Sequence, residues 1–247
     1  MPLPRRVAPE TLDGLAGDDP SALRSRRDLQ RVHRIMGTRS ILLGRLRSWS
    51  LPRTGSASLR VLELGAGDGS LLLRVARALA PGWPRVELTL LDRQALVAPA
   101  TVREYARLGW SATSLRMDVL DWAATPDGAL GDAQPGARWD LIVANLFLHH
   151  FEGPQLEGLL RAVAARCDHF LACEPRRARV ALLGSRCIGL LGANAVTRED
   201  AVLSVHAGFR GSELCAAWPE PRQAWHLREG AAGLFSHCFS AVRVRGG

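Results

Sequence analysis

The sequence predicts an α/β fold: a seven-stranded, mostly parallel sheet that ends in an antiparallel strand pair and is preceded by a helical extension. Two observations carry the prediction. From Leu59 onward, short apolar runs alternate with stretches of helical periodicity, the pattern of parallel strands joined by crossover helices. Near the C-terminus, two strand-like runs are separated by too few residues for a crossover helix, so that pair runs antiparallel.

The elements follow in order. Residues 1–18 read as a loose tail. Asp19-Pro20 marks a helix start, a capping carboxylate followed by proline at the first helical position. Leu23, Leu29, Val32 and Met36 then recur at near-helical spacing. Gly37 stops that helix, and Thr38 is placed to cap a second one with Ile41, Leu42 and Leu46 on its buried side. Residues 50–58, with Pro52 and Gly55, read as a linker. Residues 1–58 are thus expected to be an N-terminal tail and helical extension, a candidate lid, and residues 59–247 the main domain. In that domain, strands are expected at 59–64, 86–91, 114–117, 140–144, 170–173, 224–227 and 235–244. Helices are expected at 70–79, 96–108, 155–165 and 176–190.

Composition narrows the function classes. The chain has 247 residues, 47% of them hydrophobic, enough for one large domain with a real core. The net charge is +8, yet all 32 basic residues are arginine and most are dispersed, which argues against nucleic acid as the partner. The local exceptions are Arg24, Arg26, Arg27, Arg31 and Arg34, and later Arg176, Arg177 and Arg179. A solvated helix face accounts for the first group, with a nucleic-acid or membrane surface as the alternative. The five cysteines are odd in number and form no C-x-x-C pair, so neither a disulfide framework nor a zinc site is supported and no metal is expected. Reduced thiols suit a cytoplasmic protein. No apolar run reaches the length of a membrane span and the first residues lack the apolar core of a signal peptide; peripheral membrane contact stays open.

The chemistry concentrates in Val61-Leu62-Glu63-Leu64-Gly65-Ala66-Gly67-Asp68-Gly69-Ser70, which follows a strand and opens a helix. Glycines there allow tight turning and close approach to a ligand, and the free N–H groups of the helix face it. Asp92 closes the second strand, where a carboxylate can accept both hydroxyls of a ribose. Asp118 closes the third, beside the expected base position.

The glycine-rich segment resembles motif I of the class I S-adenosylmethionine-dependent methyltransferases, an acidic residue followed by Gly-x-Gly-x-Gly; the match runs from Glu63 through Gly69. Asp92 stands where that family keeps its ribose-binding acid, and Asp118-Val119 is similar to its adenine-side segment. Trp139-Asp140-Leu141-Ile142-Val143-Ala144-Asn145 looks like its fourth strand, with Asn145 reaching the active-site mouth. The resemblance covers residues 59–245. It implies a Rossmann-like fold and S-adenosylmethionine as cofactor, held by Glu63, Gly65, Ala66, Gly67, Gly69, Asp92, Arg93, Asp118, Val119 and Asn145. A nicotinamide-binding domain would need Gly-x-Gly-x-x-Gly, and here the third glycine comes one position early.

Methyl transfer needs in-line orientation, and a base only when the nucleophile starts protonated. His149 and His150, after the fourth strand, are the candidate bases, packing or helix capping being the alternative. Glu174, held extended by Pro175, is placed either to touch substrate or to sit at the start of the next helix. The apolar run 180–191 is a candidate wall for an aromatic, polyketide, quinone or lipid-like acceptor, or else a plain core helix. The segments around His149 and Glu174 are similar to those of quinone-biosynthesis methyltransferases. The expected activity is O- or C-methylation of a small hydrophobic or aromatic acceptor, with an RNA methyltransferase or a non-catalytic cofactor-binding module as the alternatives.

Overall fold

Strands buried on both faces need helices on both sides, and alternation along each strand decides which residue meets which layer. In the computed structural model, which describes residues 3–49, 58–125 and 138–244, these demands build one seven-stranded sheet. Its strands are β1 (Leu59–Leu64), β2 (Val86–Asp92), β3 (Trp110–Arg116), β4 (Trp139–Asn145), β5 (Cys167–Pro175), β6 (Trp225–Ala232) and β7 (Ser236–Arg243). The order is β3-β2-β1-β4-β5-β7-β6. β1 to β5 pair parallel, while β7 lies antiparallel between β5 and β6. Six strands therefore point one way and β7 alone is reversed.

Helices α1 (Thr11–Gly14), α2 (Pro20–Ile35) and α3 (Thr38–Arg47) precede the sheet. They are followed by α4 (Ser70–Leu79), α5 (Pro99–Arg107), α6 (Val119–Ala124), α7 (Gly153–Arg166), α8 (Arg179–Cys187), α9 (Ala195–Ala207) and α10 (Glu213–Ala217). Leu59 and Val61 face a layer with Leu42 and Leu46 of α3 and Leu72, Val75 and Leu79 of α4. Leu62 and Leu64 face the opposite layer, with Leu159, Leu160 and Val163 of α7. Each fully buried aliphatic side chain in these layers contributes about 1.5–3 kcal/mol.

Several expectations need correction. Residues 3–18 are no loose tail. The Arg177 guanidinium donates to Leu3 O at 2.9 Å, the Arg5 guanidinium to Ala207 O and Phe151 O at 2.8 Å each, and Asp200 accepts from the N–H groups of Thr11 and Leu12 at 2.8 and 2.9 Å. Polar anchors of this kind leave no apolar periodicity to read. α2 starts as expected, with Asp19 accepting from Ser21 N at 2.7 Å, but Thr38 does not cap α3; Gly37, at φ 67°, makes that boundary and Thr38 is buried. β3 begins four residues earlier than expected, because its Ser111, Thr113 and Ser114 are exposed at the sheet edge and carry no apolar signal. α6, α9 and α10 escaped the sequence reading. The expected linker falls on residues 50–57, outside the described residues, apart from Ser58.

Candidate active site

In a parallel sheet the strand ends and the helix starts that follow them face one side, and ligands collect there. A cavity of about 490 Å³ opens on that side, above β1, β2 and β4. That volume suits a cofactor-sized ligand. The turn after β1 forms its floor. Gly65, Gly67 and Gly69 have φ of 67°, 56° and 69°, values that favour glycine. At Gly65 a Cβ would also lie 2.2 Å from the Phe147 ring, so the two turns touch only because that position has no side chain. The N–H of Gly67 donates to one oxygen of Asp92 and that of Gln94 to the other, both at 2.8 Å, which fixes the carboxylate at the cavity edge.

Glu63, Gly65, Ala66, Gly67, Asp92, Arg93, Asp118, Val119 and Asn145 all border the cavity; Gly69 does not. Gly69 lies behind the turn, where its carbonyl accepts from the Tyr105 hydroxyl at 2.8 Å. Asp118 also caps α6, accepting from Leu120 N. Glu63 Oε2 and Asn145 Oδ1 are buried with no hydrogen-bond partner among the described residues. Burial, then the charges of Asp68 and Asp92, push the Glu63 carboxyl well above the usual carboxylate range.

The two histidines have different environments. His149 is 2% exposed, with Nδ1 2.8 Å from Glu174 and Nε2 3.3 Å from Glu10. Burial disfavours its cation, but hydrogen bonds and charge from Glu10 and Glu174 outweigh that and raise it to about 9. His150 faces the cavity with its Nδ1 3.5 Å from Asp13; burial and the neighbouring His149 cation hold it below its ordinary value. Glu174 neither borders the cavity nor starts the next helix. It is fully buried and accepts from Phe147 N at 3.2 Å and Leu148 N at 3.0 Å, so it fixes the turn that carries both histidines. Leu146, just before that turn, has a φ of 49°, a costly value for a leucine. One nitrogen each of His149 and His150 and an oxygen of Glu10 lie within 4.8 Å of one another. Of the His149 nitrogens, Nε2 pairs with Glu10 of this same group and Nδ1 with Glu174.

The roof comes from the N-terminal segment, the region expected as a candidate lid, although the sequence singled out none of its residues for the cavity. Residues 7–10, Leu12, Asp13 and the inner face of α2, with Leu29, Gln30 and His33, border the cavity. Gln30 Nε2 donates to Asp68 of the glycine turn at 2.9 Å, and the Ser204 hydroxyl donates to Glu10. Asp68 lay inside the recognised motif and was readable there; Glu10 and Asp13 carried no local signal.

A family profile described as a methyltransferase domain matches residues 62–169, the stretch from β1 into β5 that holds the glycine turn, Asp92 and both histidines. Over those residues the chain is a methyltransferase domain. No curated protein matches the chain by sequence. Among solved structures that share the fold of this chain, two at low identity are the following. The plantazolicin methyltransferase BpumL in complex with SAH is 14% identical, with a TM-score of 0.57 over 92% of each chain. An O-methyltransferase family protein from Burkholderia thailandensis is 13% identical, with a TM-score of 0.58 over 96% of this chain; the chain spans 64% of that protein's length.

The methyl donor of this family is S-adenosylmethionine, and the residues present fit it. Asp92 offers fixed carboxylate oxygens for a ribose, and the partnerless oxygens of Glu63 and Asn145 suit the donor's cationic amino and sulfonium end. Glu63→Gln is expected to weaken cofactor binding about 10- to 100-fold, since a bond to a charged group contributes about 1.5–3 kcal/mol. The same change is expected to raise the melting temperature of the free protein. The folded-state value of Glu63 lies above its unfolded one, so the wild type loses stability as pH rises from about 4.5 towards that raised value, and glutamine removes the loss. Calorimetric titration and melting curves at acid and neutral pH check both arms.

Proposed function

We propose that this chain methylates a small hydrophobic or aromatic acceptor bearing an ionisable hydroxyl, in the cytoplasm, with S-adenosylmethionine as donor. When bound, that donor supplies an electrophilic methyl group. The chain's own residues do the rest: the glycine turn, Asp92 and Asn145 hold the donor, and the roof excludes water. His150 takes the acceptor's proton, leaving an oxygen, or a ring carbon conjugated with it, as the nucleophile. The supporting observation is the contrast between the two histidines. His150 is held neutral and faces the cavity, while the cationic His149 is locked between Glu10 and Glu174. Asp13, 3.5 Å away, stabilises the imidazolium that His150 becomes. The plantazolicin methyltransferase among the structural relatives is consistent with a small-molecule acceptor. The arginines nearest the cavity are tied to the protein itself, Arg26 to Gly17 O and Gln94, Arg93 to Asp13, which leaves them poorly placed for a nucleic-acid backbone.

The test is mass spectrometry of the purified protein for bound donor or its thioether, followed by turnover on a panel of phenols and quinols. A methylated phenol or quinol supports the reading; methylated RNA with no product from the panel would sink it.

The roof is itself expected to depend on pH. His149 is raised to about 9 in the folded protein, so its contribution is complete below its ordinary 6.5 and is lost as pH rises through about 9. Amide exchange of residues 3–13 should therefore accelerate above pH 9 in the wild type, and at neutral pH in Glu10→Gln. Equal protection at pH 7 and 10 would refute the coupling.

A further inference from the structure

The apolar run 180–191 stood out in the sequence as a wall for the acceptor, and the methyl-transfer site does not use it. None of its residues borders the cavity. α8 instead turns Leu183 outward, 64% exposed, and the turn that follows, Ile188–Leu191, presents Leu190 at 89% and Leu191 at 50% exposure. Gly192, at φ 79°, ends that turn, with Leu190 and Leu191 at its tip. Single exposed leucines are ordinary, but adjacent ones at one tip have a solvation cost that a partner would relieve.

The surface beside the tip is basic. Leu191 and Ile188 share a crevice with Asp28, Arg31 and Val32 of α2, so helix and tip abut. Arg24, Arg27, Arg31 and Arg34 are all exposed, and at 3.6 residues per turn they fall within an arc of about 80° on that helix. One of them is balanced, Arg31 by Asp28 at 3.0 Å. The other side of the same helix carries Leu29, Gln30 and His33 into the cavity. α2 therefore has a cavity face and a basic outer face, with a leucine tip at its flank.

We propose that this outer face docks on an anionic lipid bilayer, the arginines lying against the headgroups and Leu190 and Leu191 entering the acyl boundary. Charge alone would suit a nucleic acid equally well. The leucines decide for lipid, because a phosphate backbone offers nothing to solvate them and a bilayer does. Docked this way, the membrane lies one helix diameter from the cavity, about 10 Å, where an acceptor dissolved in the bilayer has the shortest route in.

The experiment is co-sedimentation of the full chain with vesicles of phosphatidylcholine, with and without phosphatidylglycerol. Wild type should pellet with the anionic vesicles and be released by salt. Replacing Arg24, Arg27 and Arg34 together by glutamine should weaken binding about 100-fold, from roughly 1 kcal/mol per arginine. Leu190→Ser with Leu191→Ser should weaken it about tenfold or more at unchanged salt dependence. None of these residues borders the cavity, so melting temperature and binding of the demethylated thioether should match wild type and serve as folding controls. Wild type remaining in the supernatant with anionic vesicles overturns the proposal, as does vesicle binding indifferent to the leucines. Binding to single-stranded RNA but not to vesicles, with the same arginine dependence, overturns it as well. The measurement involves no methyl transfer, so its failure would leave the catalytic reading standing.

Discussion

Asp92→Ala is expected to reduce affinity for S-adenosylmethionine about 100- to 10,000-fold, the largest binding effect available to one side chain in this site. Two charge-assisted bonds to ribose hydroxyls, each contributing about 1.5–3 kcal/mol, give that range. The same carboxylate also orders the protein, accepting from Gly67 N and Gln94 N at 2.8 Å. Removing it also leaves the glycine turn without its anchor, which places the loss toward the upper end of that range. Asp92→Asn keeps an oxygen for one of those amides but not the charge, and should fall between. Calorimetric titration with the donor and with its thioether decides the matter. An affinity for Asp92→Ala within a few-fold of wild type would mean that the ribose sits elsewhere.

His150→Gln is expected to lower turnover about 100- to 10,000-fold, the usual contribution of a positioned general base, while cofactor affinity stays put. The pH profile separates this role from a structural one. In the wild type, kcat/KM should rise at acid pH as His150 loses its proton, with a midpoint below 6.5, because burial and the His149 cation depress it. It should plateau at neutral pH and decline above about 9 as His149 discharges and the roof loosens. In His150→Gln the acid limb should disappear and rate should follow ionisation of the acceptor itself. An unchanged acid limb in the variant would assign the base to another group. His149→Gln should instead disturb the roof, raising KM and exchange rates together.

Much of the sheet was legible because buried strands advertise themselves. β1 alternates between two apolar layers, β2 puts Val86, Leu88 and Leu90 into one of them, and the bounds of both could be read within a residue. The glycine turn and the acids at the ends of β2 and β3 were legible for a related reason: positive φ and strand-end carboxylates leave few choices of residue. β3 hid its first half because an edge strand needs no apolar face. α9 hid because it is only weakly amphipathic, its buried and exposed residues following no clean helical stripe. Glu174 was picked out correctly as unusual but misplaced in role. Its partners, the N–H groups of Phe147 and Leu148, are 27 and 26 residues away, and no local pattern reports such a contact. Glu10 is the extreme case, 139 residues from the histidine it contacts. Long-range polar pairing, rather than periodicity, defines the upper half of this site.

One half of the cavity is built from the strand ends, whereas the opposite half is contributed by residues 7–10, Leu12, Asp13 and one side of α2, which add no strand to the sheet. The two halves meet through a few polar pairs, Gln30 with Asp68 and Glu10 with His149, and each can diverge where those pairs are kept. Grafting residues 3–35 from another member of the family onto this scaffold is a route to altered acceptor choice with the methyl supply left intact.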